Sequence, residues 1–265
     1  MLLGQHGSKL KAIFRAILAS DPDLAERFIT RLEDLAQSEL PDRDIYLDLR
    51  KLYNDHDEGF KAARFQNKMQ RSDTRTAKIV EIMGPDFKPK SYIDIGCGDG
   101  LFTDGVSRAY PSTKGHSFAT DLAPPISAKD NFEYVSYDER GQVPVAQGSI
   151  DFVTTLMVLH HVPEVRVLLG EIARIMAPNA KFLVRETDAT DPEDEAFNVV
   201  MDEIFYTAWD QDDTLAQHFN FRSRADWCEL FSDCGFEIEA IDESEIMTGF
   251  SPIWFKLIKA PQFNC

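Results

Sequence analysis

At 265 residues, 43% hydrophobic and 28% charged, the chain is long enough to bury a full core and has the composition of an ordinary globular protein. No run approaches the ~18–20 apolar residues of a membrane helix, and the N-terminal MLLGQHGSKLKAIFRAILAS breaks its apolar residues with cations, so a cytoplasmic protein is expected. A net charge of -17 argues against an evenly spread nucleic-acid surface, but residues 1–90 carry 16 basic against 15 acidic side chains, leaving 12 against 30 in the remainder.

The first ninety residues read as helices. Leu10, Ile13, Phe14, Ile17 and Leu18 repeat at the spacing of one apolar stripe. Ser20-Asp21-Pro22 then offers a cap and a proline for a second helix, whose stripe is Leu24, Phe28, Leu32 and Leu35. A third segment runs through Leu47, Leu49, Leu52 and Tyr53, and a fourth from about Glu58 to Met83, stopped by Gly84-Pro85. Along the fourth, Lys61, Arg64, Lys68, Arg71, Arg75 and Lys78 recur at steps of three and four and share one face. Such a row suits a phosphate-bearing partner such as RNA, or else a solvated or docked face.

From Ser91 the period changes. Short apolar runs (SYIDIG, HSFATDL, FEYVSY, IDFVTTL, KFLVRET) alternate with helical stretches near 164–176, 195–217 and 226–234, and FEIEAID with SPIWFKLIKA closes the chain. The alternation predicts an α/β fold with a doubly wound, mostly parallel sheet, the last two strands forming an antiparallel hairpin at one edge. The expected division is an N-terminal helical region over 1–88, a cap or substrate-binding extension, and a second domain over 89–265. Cys97, Cys228, Cys234 and Cys265 make no C-x-x-C pair and have no histidines at zinc spacing, so neither a metal site nor a disulfide framework is expected.

The stretch from Ser91 to Gly100 is a strand running into a glycine turn and a helix. Gly96, Gly98 and Gly100 allow a tight turn and close approach to a ligand. A nicotinamide fingerprint would read G-x-G-x-x-G; here the third glycine is one position early. Asp121 closes the next strand, where a carboxylate accepts from ribose hydroxyls, and Asp138 follows the third, where one accepts from an adenine amine.

The ordered blocks IDIGCGDG, ATDL, YDERGQVPVAQGSIDFV, LMVLHHV and LLGEIARIMAPNAKFLVRE resemble the class I S-adenosylmethionine-dependent methyltransferases, in particular the type 11 and type 25 group, over about residues 91–187. The resemblance implies a seven-stranded Rossmann-like methyltransferase fold and S-adenosylmethionine as cofactor, released as S-adenosylhomocysteine. It sets Asp94, Gly96, Cys97 and Gly98 against the methionine end, Asp121 on the ribose and Leu122 on the adenine face. Asp138 and Glu139 then frame the adenine edge, and Leu156 and Met157 lie beneath the sulfonium. Pro178-Asn179-Ala180 departs from the family's Pro-Gly-Gly, a change that asparagine tolerates because it accepts a positive φ.

His160 and His161, just past the fourth strand, are candidate general bases, with a shaping role as the alternative. Arg185 and Glu186 end the fifth strand; Glu186 is a candidate to orient or deprotonate a substrate and Arg185 to hold an anion, unless they form an internal ion pair. Phe205, Tyr206 and Trp209 fall on an inserted helix suited to a lid or to core. The expected activity is methyl transfer to an oxygen or nitrogen of a small molecule. The alternatives are an RNA cap or ribose methyltransferase using residues 61–78, and a catalytically silent binding module.

Overall fold

The computed structural model describes residues 5–38, 40–125, 130–138, 140–210, 218–245 and 252–260. Four helices come first: α1 (Gln5–Ile17), α2 (Pro22–Ala36), α3 (Asp42–Asp55) and α4 (Asp57–Met83). Asp21 caps α2 as its sequence suggests, Oδ1 accepting from the Leu24 N–H at 3.0 Å. The stripes of α1 and α2 meet in one cluster, where the Phe28 ring lies 4.7 Å from Phe14 and 5.7 Å from Phe60. Each such side chain withdrawn from water contributes ~1.5–3 kcal/mol.

The sheet begins with β1 (Tyr92–Ile95), followed by α5 (Leu101–Ala109), β2 (Ser117–Thr120), a two-residue β3 (Glu133–Tyr134) and β4 (Ile150–Leu156). Then come α6 (Val165–Ile175), β5 (Met176–Thr187), α7 (Pro192–Glu203), a π-helical stretch over Ile204–Asp210, α8 (Arg224–Asp233), β6 (Phe236–Asp242) and β7 (Pro252–Lys259). The seven strands run in the order β3-β2-β1-β4-β5-β7-β6. β1 to β5 pair in parallel, while β7 pairs antiparallel to both β5 and β6. This is the doubly wound, mostly parallel sheet with a helical extension that the alternating pattern predicts. The closing hairpin is present, with β7 inside the sheet and β6 at the edge.

Strand order reverses between β1 and β4, and a crevice outside their C-terminal ends is where such sheets hold ligands. Two features bring the helical region to that crevice. Phe197, Met201, Ile204 and Ala208, inserted after β5, pack into the α1–α4 cluster. The far end of α4 does the reverse: Ile79 and Met83 join Tyr92, Val106, Phe152 and Trp254 under the sheet. With 27 residues, α4 is ~40 Å long and spans both cores. The Pro178-Asn179-Ala180 turn survives as expected, with Asn179 at φ 63°.

Candidate active site

The glycine turn between β1 and α5 is shaped by what surrounds it. Gly96 has φ 79°, and a Cβ there would stand 2.3 Å from Val158 Cγ2, so any larger residue displaces the loop after β4. Gly98, at φ 53°, has nothing within 4 Å of where a Cβ would stand, and its face is open. Gly100 is the left-handed N-cap residue of α5, and Cys97 is buried in the turn with its N–H donating to Thr120 O.

Asp94, read as a neighbour of the methionine end, is 2% exposed. Its oxygens accept from Thr103 Oγ1 at 2.6 Å and Thr154 Oγ1 at 2.7 Å, so it ties α5 and β4 to the turn from beneath. Burial pushes its carboxyl up to about 7 against the pull of those two hydroxyls. Asp121 is partly exposed and fixed against the open glycine: Oδ2 accepts from the Gly98 N–H and Oδ1 from the Leu122 N–H, each at 2.7 Å. Leu122 is 80% exposed, an apolar surface beside that carboxylate.

Asp138 stands in the turn after β3. It is exposed, and its Oδ1 accepts from the Gln142 and Arg140 N–H groups at 2.8 Å, which holds its carboxyl below the ordinary range. Glu139 lies outside the described residues. Leu156 ends β4, and Met157 after it takes φ 59°, a left-handed conformation that costs a non-glycine residue ~1–2 kcal/mol. Strain held at the C-terminal end of a central strand is a mark of a site. The open Gly98, the fixed Asp121 carboxylate and the exposed Leu122 fit a nucleoside that carries a charged tail.

The histidines divide into two chemical kinds. His160 is fully buried, with Nδ1 2.6 Å from Glu186 Oε2 and Nε2 3.0 Å from Asp202 Oδ2. Burial pulls its basicity down, but the two carboxylates outweigh it and raise it to about 10, so His160 is an imidazolium at neutral pH. Glu186 is also fully buried, and its Oε1 accepts from the Val158 and Leu159 N–H groups at 3.2 and 2.8 Å. Both nitrogens of His160 and both oxygens of Glu186 are thus engaged, and the two side chains hold the loop that rests on Gly96, the shaping role and internal ion pair that were the alternatives for them.

His161 lies beside His160. Its ring centroid is 4.1 Å from that of His160 and 5.0 Å from that of Tyr206, and Nε2 stands 3.5 Å from Asp202 Oδ2. The His218 backbone also bears on the ring. Burial, and next the charge on His160, hold it below the ordinary histidine value, so it is neutral near pH 7. His160, His161 and Asp202 bring ligand atoms within 4.8 Å of one another. Both ring nitrogens of His160 are already engaged, by Glu186 and by Asp202.

Arg185 is 2% exposed; its guanidinium forms a bidentate pair with Glu245 at 2.9 and 2.7 Å and lies over the Trp254 ring. The basic row of α4, read as a phosphate-facing row or as a solvated or docked face, is docked over part of its length. Lys68 pairs with Asp99 in the glycine turn at 3.0 Å, and Lys78 with Asp242 at 3.0 Å. Arg71 lies over the Phe205 ring at 6.0 Å. The half from Lys68 to Lys78 therefore faces the sheet domain, because that domain carries the acidic side chains; Lys61 is exposed. The Arg64 and Trp209 side chains lie outside what the structure describes.

The sequence reading missed Thr103, Thr154, Asp202, Asp99 and Glu245. Only the two threonines carry a local signal, as polar residues on an otherwise apolar strand and helix face. The others act through pairings set by the fold.

A family model described as a methyltransferase domain matches residues 65–241. O-methyltransferase 12 of Dictyostelium discoideum is 25% identical over 173 residues, 61% of this chain and 42% of that protein. The ubiquinone biosynthesis O-methyltransferase of Cupriavidus pinatubonensis is 26% identical over 100 residues, 36% of this chain and 40% of that protein. Each match thus spans less than half of the relative. Among solved structures, the trans-methyltransferase CalH in complex with S-adenosylhomocysteine superposes with a TM-score of 0.57 at 17% identity, covering 96% of this chain and 74% of that one. The pyocyanin biosynthetic protein PhzM gives a TM-score of 0.53 at 20% identity, over 75% of this chain and 58% of that one. At these identities the two structures speak for the fold.

Two outcomes follow from this geometry. Asp121→Ala weakens S-adenosylhomocysteine binding by ~1.5–3 kcal/mol in calorimetry, the range for a hydrogen bond to a charged group; unchanged affinity removes the ribose assignment. For His160, the folded pKa lies above the ordinary value, so its contribution is complete below about 6.5 and is lost as pH rises through about 10. In urea unfolding, His160→Gln is then less stable than wild type by ~3–5 kcal/mol near pH 7, as for breaking a buried pair, and the gap narrows toward pH 10. A gap that is constant between pH 7 and 10 contradicts the charged His160.

Proposed function

Given that the chain belongs to the class I S-adenosylmethionine-dependent methyltransferases, we propose that it moves a methyl group to a phenolic or enolic oxygen of a small molecule, with His161 as general base. The observation that carries this reading is the His161 ring, held below the ordinary histidine value beside a histidine that is held charged and in contact with Tyr206.

S-adenosylmethionine, when bound, supplies an activated methyl group on a sulfonium. The residues of this chain do the rest. Gly98, Asp121 and Leu122 receive the nucleoside; Asp94 holds the turn rigid through Thr103 and Thr154. Asp202, 3.5 Å from Nε2, orients the His161 ring, and a ring nitrogen takes the hydroxyl proton as the oxygen attacks. A neutral imidazole suits an acidic hydroxyl: phenols ionise near 10, as in tyrosine, within reach of a histidine base. The rings of Tyr206 and Phe219 lie beside His161, with centroids 5.0 and 5.8 Å from its own. The relatives named above are O-methyltransferases, which supports oxygen as the acceptor. The RNA alternative loses support from Lys68 and Lys78, whose partners are the carboxylates of the protein itself.

In a labelled-methyl transfer assay over a panel of phenolic acceptors, His161→Gln lowers turnover by ~10²–10⁴ while S-adenosylhomocysteine affinity is kept. The wild-type rate rises with pH as His161 loses its proton, with a midpoint below 6.5 because its basicity is depressed, and the variant lacks that limb. Near-normal turnover in the variant, or an acid limb that persists in it, refutes the assignment.

A further inference from the structure

Three residues of α4, at steps of four, meet the glycine turn and the helix that follows it. Lys68 Nζ stands 3.0 Å from Asp99 Oδ2. One helical turn further on, the Ser72 hydroxyl is buried and donates to Leu101 O at 3.1 Å. One turn beyond that, a Cβ on Gly105 would stand 2.6 Å from Thr76 Oγ1, so a larger residue there pushes α4 and α5 apart. Residues at i, i+4 and i+8 share a helix face, so a single face of α4 makes all three contacts.

Asp99 is the residue through which that face reaches the turn. Its Oδ1 accepts from the Leu101 N–H at 3.1 Å, at the start of α5. Its neighbour Gly98 carries the N–H that donates to Asp121 Oδ2. Residues 98 to 101 are therefore held both by the carboxylate that follows β2 and by α4. Gly96, Gly98 and Gly100 all take positive φ, and backbone so rich in glycine has little stiffness of its own. A grip from a neighbouring helix bears directly on its shape.

α4 is itself anchored at both ends. Phe60 and Ala63 are buried in the helical cluster, and Ile79 and Met83 in the core under the sheet. Lys68 and Ser72 lie between these anchors and act from a fixed frame. The Lys68 and Asp99 side chains keep 31% and 33% of their surface exposed. An ion pair that wet contributes little to global stability, so its effect is local.

We propose that Lys68 is a positioning residue for the cofactor: through Asp99, and with Ser72 on Leu101, it holds the glycine turn in its binding shape. Affinity for the cofactor is then set in part by the N-terminal helical region, although the groups that receive the nucleoside all lie beyond residue 90. The inference rests on the reading of the glycine turn as the cofactor site. It adds which side chains outside the turn keep it in place.

The test uses the full chain and two readouts. Calorimetry measures S-adenosylhomocysteine binding, and hydrogen exchange of the ligand-free protein follows the amides of residues 97–104. Lys68→Met weakens binding ~3–5-fold, the upper end of what a partly exposed ion pair supplies, and speeds exchange over 97–104. Lys68→Arg keeps the charge and restores both. Asp99→Asn shows the same loss of affinity, and the double variant Lys68→Met/Asp99→Asn binds no more weakly than either single one, because the two residues act as a pair. Wild-type affinity in Lys68→Met overturns the inference and leaves the cofactor reading standing. So does a Lys68→Arg variant as weak as Lys68→Met, since the charge is then not what acts. Losses that add in the double variant, or a loss of affinity with exchange unchanged at 97–104, also overturn it, because Lys68 then meets the ligand directly. A wild-type protein that binds no S-adenosylhomocysteine overturns the cofactor reading and this inference together.

Discussion

The buried imidazolium of His160, held between Glu186 and Asp202, is the constraint on which the rest of the site depends. It joins three elements that the chain order keeps apart: the end of β5, the loop after β4 and the inserted α7. Glu186 also takes the Val158 and Leu159 N–H groups, and the Val158 side chain is what makes Gly96 obligatory. One ion triad thus holds the loop after β4 against the glycine turn. Such a triad is costly to bury, and its worth lies in fixing one arrangement. Removing either carboxylate would leave an unpaired charge in the core.

The same charge creates the difference between the two histidines. With ring centroids 4.1 Å apart, a permanent positive charge on His160 works against a second one on His161. Two adjacent residues of one type differ because two carboxylates hold the charge on His160, while burial and then that charge keep His161 below the ordinary value. Electrostatics also explains how the helical region docks. The first ninety residues are nearly balanced and the remainder strongly acidic, and the contact is made by α4 cations on sheet-domain carboxylates. Exposed members of that contact contribute little stability each, but they fix which face of α4 looks inward.

Much of this was legible in the sequence where the signal is local. The α2 cap at Asp21, the stop at Gly84, the glycine turn and the carboxylate after β2 all follow from residues within a few positions of one another. The tolerance of Asn179 for positive φ was readable for the same reason. Pairings across the chain were not. Asp202 is 42 positions from His160 and Glu245 is 60 from Arg185, and no spacing rule links them. The helix periodicity showed that the α4 cations share a face. Which way that face turns is a property of the acidic domain opposite, so the sequence left a phosphate-facing and a docked face both open. β3 has only two paired residues, too few for its run to show where the strand ends.

The account stands most directly on the protonation states of the two rings. Long-range ¹H–¹⁵N correlation spectra of histidine-labelled protein, recorded from pH 5 to pH 10.5, report each ring separately. The structure predicts that His160 keeps both ring protons through neutral pH and loses one only near 10, while His161 is neutral from below pH 6.5 upward. Two rings that titrate together near 6.5, or a neutral His160 at pH 7, would contradict the ion triad and the base assigned from it.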